Sequence, residues 1–136
     1  MNIVIDTNVL MAGLLKDSTV RKILLSDNIK FFIPEGALDE IEKYKEFLIR
    51  KSGMTKEGIE EILDLLLENI EIIPEKEIKT KLNEAEEIMK SVDIKDSIFM
   101  AAALKIRSDG LWSFDNHFKK QNKIKIYDTE YLMKFI

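Results

Sequence analysis

The sequence predicts an α/β fold in three layers: a mostly parallel sheet of about five strands with helices on both faces. Three observations carry this expectation. Short apolar runs rich in β-branched and aromatic residues recur at 2–5, 31–33, 70–73, 111–114 and 124–127. Segments with helical spacing of apolar residues separate the first four of these runs and follow the last. Such alternation is satisfied by parallel strands joined through right-handed crossovers. Two runs also stop at prolines, Pro34 and Pro74, which break a strand by removing a donor.

In order, residues 2–5 form a short buried first strand. Asp6-Thr7-Asn8 follows, then a short helix from Val9 to Leu15. Asp17 or Ser18 caps the next helix, which turns Val20, Ile23 and Leu24 to one side. After Phe31-Phe32-Ile33 a helix is expected from about Glu35 to Arg50, with Ala37, Ile41, Tyr44 and Leu48 as its apolar stripe. Glu40 projects at the edge of that stripe and inward. Gly53 suits a helix C-terminus and Thr55 caps another helix, whose Ile59, Ile62, Leu63 and Leu66 face the core. Leu65 and Leu67 are surplus to that stripe and either cover more core or meet a second subunit.

The third strand, 70–73, leads to a helix from about Glu77 to Ser91, aligned on Ile78, Leu82, Ala85 and Met89. Asp96 then opens an almost wholly apolar helix, 97–104, expected to be among the most buried. Asp109-Gly110 reads as a turn before the fourth strand, 111–114. That strand ends in Asp115-Asn116-His117-Phe118. A short fifth strand, 124–127, precedes a terminal helix capped by Thr129. The whole chain, 1–136, reads as a single domain, and its length is enough to bury a real core.

Composition narrows the function. The apolar share of 46% and charged share of 34% fit a soluble globular protein rather than a disordered one. With no cysteine, disulfides, thiolate metal sites and thiol nucleophiles are excluded. No apolar run approaches the ~18 residues of a membrane span, and the first ten residues read as structure rather than a signal, so a cytoplasmic location is expected. The net charge of −4 argues against a protein that coats DNA but not against an enzyme of nucleic acids.

The chemistry lies in four acids. Asp6 and Asp115 each follow a strand, Asp96 stands at a helix N-terminus, and Glu40 leans inward. Unit charges ~4 Å apart repel by about 4 kcal/mol at an effective dielectric near 20, so grouping them calls for a counter-charge. A hard divalent cation is the economical one.

These pieces resemble the PIN domain, the nuclease fold of VapC-type toxins and related RNA-processing enzymes. The resemblance rests on Ile5-Asp6-Thr7-Asn8, on Glu40 after strand two, on Asp96 to Ala103, and on Trp112 to Phe118. It covers the whole chain in order. It implies a Rossmann-like α/β/α architecture and Mg²⁺- or Mn²⁺-dependent hydrolysis of RNA phosphodiesters. Asp6, Glu40, Asp96 and Asp115 become the metal ligands, with Asn8 and Ser113 orienting them. It also implies an antitoxin partner and a homodimer. The position before the final Phe is commonly acidic in the family; here it is His117, which alters a second metal position or meets a phosphate. Asp93, one turn before Asp96, is a candidate extra ligand. Two other readings compete: an inactive PIN-like module that binds RNA or protein, and an aspartate-nucleophile phosphatase. The phosphatase needs a second Asp where this chain has Asn8.

Overall fold

The computed structural model describes residues 1–16, 18–90 and 94–136, the side chain of Ile94 excepted. Asp17 and Asp93, for which a cap and a ligand were expected, lie outside the described residues. The elements are β1 (Asn2–Ile5), α1 (Thr7–Leu15), α2 (Thr19–Leu24), β2 (Lys30–Pro34), α3 (Glu35–Lys43), α4 (Lys45–Ser52) and α5 (Lys56–Leu67). They continue with β3 (Ile70–Ile73), α6 (Glu75–Lys79), α7 (Leu82–Met89), α8 (Ile94–Lys105), β4 (Gly110–Trp112), β5 (Ile126–Tyr127) and α9 (Thr129–Leu132). Among the described residues no helix is long and apolar enough to cross a membrane.

The sheet is parallel throughout, in the order β3-β2-β1-β4-β5. β1 is central because Ile3, Val4 and Ile5 are apolar on both faces, and all three are fully buried. Strand order reverses at β1: β2 and β3 lie on one side, β4 and β5 on the other. Such a switch point opens a crevice at the carboxyl ends of the strands, the usual ligand position in open α/β sheets. Ile5 pairs with Trp112, which brings Asp6 and Ser113 side by side one step beyond the paired region.

α8 packs on β1, β2 and β4. Its Met100, Ala101, Ala102 and Ala103 are fully buried, and the small side chains let the helix lie close to the sheet. On the sheet Phe31 and Trp112 meet with ring centroids 5.9 Å apart. An aromatic contact of this kind adds roughly 1 kcal/mol to the burial of the two rings.

Several boundaries differ from expectation. The helix expected over 35–50 breaks at Tyr44 (φ −97°, ψ 8°), which is 48% exposed rather than part of the stripe. The break lets α4 turn toward α1 and α5 and bury Leu48. The helix expected over 77–91 divides into α6 and α7, where the Thr80 hydroxyl donates to the Glu77 carbonyl at 2.7 Å. Such local side-chain bonding competes with continuation of a helix. Asp128, not Thr129, caps α9 by accepting the Tyr131 N–H at 2.8 Å; Thr129 Oγ1 instead accepts the Trp112 indole N–H at 3.2 Å. Ser18, Gly53 and Thr55 terminate their helices as expected.

Gly110 belongs to β4 rather than to a turn. A Cβ there would stand 2.5 Å from the Lys125 carbonyl oxygen and run into the Tyr127 ring. Backbone cannot yield as a flexible side chain can. Gly110→Ala is therefore expected to cost about 3 kcal/mol, the upper end of ordinary overpacking. A lower urea midpoint at unchanged slope reads this out; an unchanged midpoint would show that β5 moves aside freely.

Candidate metal centre

Asp6 ends β1 and starts α1. Its extended backbone (φ −94°, ψ 174°) is that of an N-cap, and its Oδ1 accepts the Val9 N–H at 3.0 Å. Its Oδ2 accepts from the Ser113 hydroxyl at 2.5 Å. The cap and the link to β4 thus use different oxygens of one carboxylate. Ser113 Oγ also accepts the Asp115 N–H at 2.9 Å, so one buried hydroxyl ties together the ends of β1 and β4.

Asp115 follows β4 after a two-residue step, Ser113-Phe114, rather than directly as expected. Its Oδ1 accepts the His117 N–H at 2.9 Å and caps the 3-10 turn Asn116–Lys120. Asp96 enters from the first turn of α8. His117 Nδ1 lies 3.4 Å from Asp115 Oδ1 and 3.8 Å from Asp96 Oδ2. One ligand atom each from Asp96, Asp115 and His117 fall within 4.8 Å of one another.

The electrostatics are those of crowded acids. Burial above all raises the Asp6 carboxyl above its ordinary value. The hydrogen bonds from Ser113 and Val9 pull it back, and the charges of Asp115 and Asp96 push it up again. Neither Asp6 nor Asp115 pairs with a lysine or arginine among the described residues. The two carboxylates and one imidazole of Asp96, Asp115 and His117 fit a divalent cation; Asp6 stands outside that close group and joins it through Ser113 and through charge. The oxygens suit Mg²⁺ or Mn²⁺, while an imidazole ligand shifts preference toward transition ions.

The remaining expected residues are placed as follows. Glu40 is half-buried on α3, the helix leaving the neighbouring strand β2, and stands outside the close group of Asp96, Asp115 and His117. Its side chain makes no hydrogen bond or ion pair among the described residues. Asn8 is exposed and makes no side-chain hydrogen bond among them either, so Ser113 and the Val9 N–H are what hold Asp6. His117 sits between two of the acids, a place its sequence position shows only by lying two residues after Asp115 in a capped turn. The Thr7 hydroxyl, next to Asp6 in the chain, is buried without a partner among the described residues.

Residues 4–131 match the family model of the PIN domain. Solved structures with the same fold include VapBC2 from Rickettsia felis, bound to a DNA fragment from its promoter. The match has 18% identity and a TM-score of 0.72, covering 94% of this chain and 98% of that one. Another is a toxin–antitoxin complex from Klebsiella pneumoniae, at 16% identity and a TM-score of 0.60, covering 84% of this chain and 87% of that one. At such identities the likeness is one of fold. No curated protein matches the chain.

Proposed function

The chain belongs to the PIN domain family, and from that premise we propose that it is a ribonuclease that hydrolyses RNA phosphodiester bonds with Mg²⁺ or Mn²⁺. The observation that carries this reading is the close group of Asp96, Asp115 and His117, with Asp6 tied to Asp115 through the Ser113 hydroxyl. Asp6 and Asp115 also cap their turns, but bringing like charges together costs stability unless a counter-charge is bound. Asp6, Asp96 and Asp115 would hold the ion, with the exposed His117 beside Asp115 and Glu40, on α3, as the fourth acid of the proposed set. The ion supplies, when bound, stabilisation of the charge that develops on the phosphoryl oxygens. The chain's own part is to keep the acids ionised and fixed: Ser113 holds Asp6 with its hydroxyl, and the 3-10 turn holds Asp115.

The substrate is single-stranded or looped RNA, whose splayed phosphates a shallow acidic crevice can reach. The likeness to toxin–antitoxin complexes of Rickettsia felis and Klebsiella pneumoniae supports the further reading of a cytoplasmic toxin held in check by an antitoxin.

Purified protein is expected to cut single-stranded RNA in Mg²⁺ or Mn²⁺ and to stop in EDTA. Induced expression is expected to arrest growth, whereas Asp96→Asn is not. Cleavage that survives EDTA would remove the metal from the mechanism, and arrest by Asp96→Asn would remove the nuclease from the toxicity.

A further inference from the structure

Although the chain carries a net charge of −4, lysines gather beside the acidic centre. A groove of about 870 Å³ lies between α7, the end of α8 and the residues that follow the 3-10 turn. Lys90, Lys119, Lys120 and Lys123 line it, against Glu84 and Glu87. None of these four lysines forms an ion pair among the described residues. The lysine-bearing turn is a built one. Gln121 Nε2 donates to the Phe118 and Ile124 carbonyls at 2.8 and 2.7 Å. Its Oε1 accepts the N–H groups of Lys123 and Ile124 at 2.8 and 2.9 Å. Every hydrogen-bonding position of that amide is used, so the lysines stand on a backbone fixed before any ligand arrives, which lowers the ordering cost of binding.

The groove and the acidic centre are linked by one short element, the 3-10 turn. Asp115 caps the start of the 3-10 turn and Lys119 and Lys120 end it. At ~2 Å rise per residue Lys120 lies roughly 10 Å from Asp115. On the other flank of the turn a smaller cavity of about 470 Å³ shares Lys119 and Lys123 and adds Lys125. Lys125 Nζ lies over Tyr127 and Tyr131, whose rings stack 5.3 Å apart. Tyr131 is 37% exposed. Fixed cations beside an accessible aromatic ring are what single-stranded nucleic acid requires: charge for the backbone and a face for a base.

We propose that the Lys119–Lys123 turn and its groove bind the phosphodiester backbone of the RNA on one side of the bond that is cut. The inference rests on the ribonuclease reading. The rings beside the lysines, and the turn shared with the acidic centre, favour RNA over an acidic protein segment.

The test is fluorescence anisotropy with a labelled single-stranded RNA in EDTA, where cleavage stops. It compares the wild type, a Lys119→Ala/Lys120→Ala/Lys123→Ala variant and the matching three Lys→Arg changes. Each phosphate contact adds ~0.7 to the salt slope for single strands. Losing three lowers the slope by about 2 and weakens binding roughly 50-fold near ~0.15 M salt. The arginine variant keeps both. In Mn²⁺ the alanine variant is expected to show raised KM, unchanged kcat and the same Mn²⁺-dependent rise in Tm as the wild type. If the wild type binds and cuts RNA and the alanine variant matches it in affinity and slope, the groove assignment falls alone. If the wild type neither binds nor cuts RNA, the ribonuclease reading falls and takes this one with it. Loss of polyglutamate binding with RNA binding intact also overturns it, and gives the groove to an acidic protein segment.

Discussion

Replacing Asp6 with asparagine is expected to lower metal-dependent cleavage by at least ~10³-fold while making the metal-free protein more stable at neutral pH. The first effect follows from the role proposed for its carboxylate: a bound ion contributes several kcal/mol to transition-state charge stabilisation, and ~1.4 kcal/mol is one factor of ten. The second follows from burial. The Asp6 carboxyl is raised above its ordinary value of 3.8, so its charged form is less welcome in the folded protein than in the unfolded chain. For a raised carboxyl the stabilising form is the protonated one. Its contribution is present below the unfolded value and is lost as pH rises through the folded one. Asparagine never ionises and does not lose it. It also keeps an oxygen to accept the Val9 N–H, so α1 stays capped. The opposing loss is the acceptor for the Ser113 hydroxyl, but burial outranks that hydrogen bond among the influences on Asp6. In EDTA the variant should therefore melt above the wild type at pH 7, with the gap closing toward pH 4. A variant that melts below the wild type at pH 7 would show that the carboxylate stabilises the fold, as a plain cap does.

How much of this was legible in the sequence depends on which forces act locally. β1 and β3 are readable because their apolar runs end in an unmistakable stop, Asp6 and Pro74. Asp96 is readable as the first-turn acid of an apolar helix, a place the helix dipole favours. The breaks at Tyr44 and Thr80 are not readable, since apolar spacing continues across both and neither carries proline or glycine. β4 looks one or two residues longer than it is. β5 pairs only as far as Trp112, which leaves Phe114 48% exposed and sets Asp115 on a loop. The adjacency of β1 and β4 depends on long-range register, which local pattern does not encode. Periodicity likewise tells which side of α3 carries Glu40 but not how far that side stands from Asp115. His117 carries the opposite lesson: the sequence places it only where the family pattern has an acid, yet its imidazole lies beside both Asp115 and Asp96, because the Asp115 cap folds the turn back on itself.

Ser113→Ala is expected to weaken Mn²⁺ binding by roughly 10–100-fold, the usual cost of removing a group that holds a metal ligand. The hydroxyl does two things at once: it donates to Asp6 Oδ2 and accepts the Asp115 N–H. Without it Asp6 keeps its burial and its acidic neighbours but loses the strongest influence that favours its charge, so its carboxyl rises further. A proton then competes better with the ion, and the deficit in affinity should be larger at pH 6 than at pH 8. Ser113→Thr keeps the hydroxyl and is expected to restore affinity. Calorimetric titration with Mn²⁺, paired with melting curves with and without the ion, separates this from a purely structural role. If Asp6 and Ser113 served only to cap α1 and join two strands, the alanine variant would lose the same Tm with and without Mn²⁺. If they hold a metal ligand, the loss is larger with the ion present, because the variant forfeits part of the stabilisation that binding to the folded state confers.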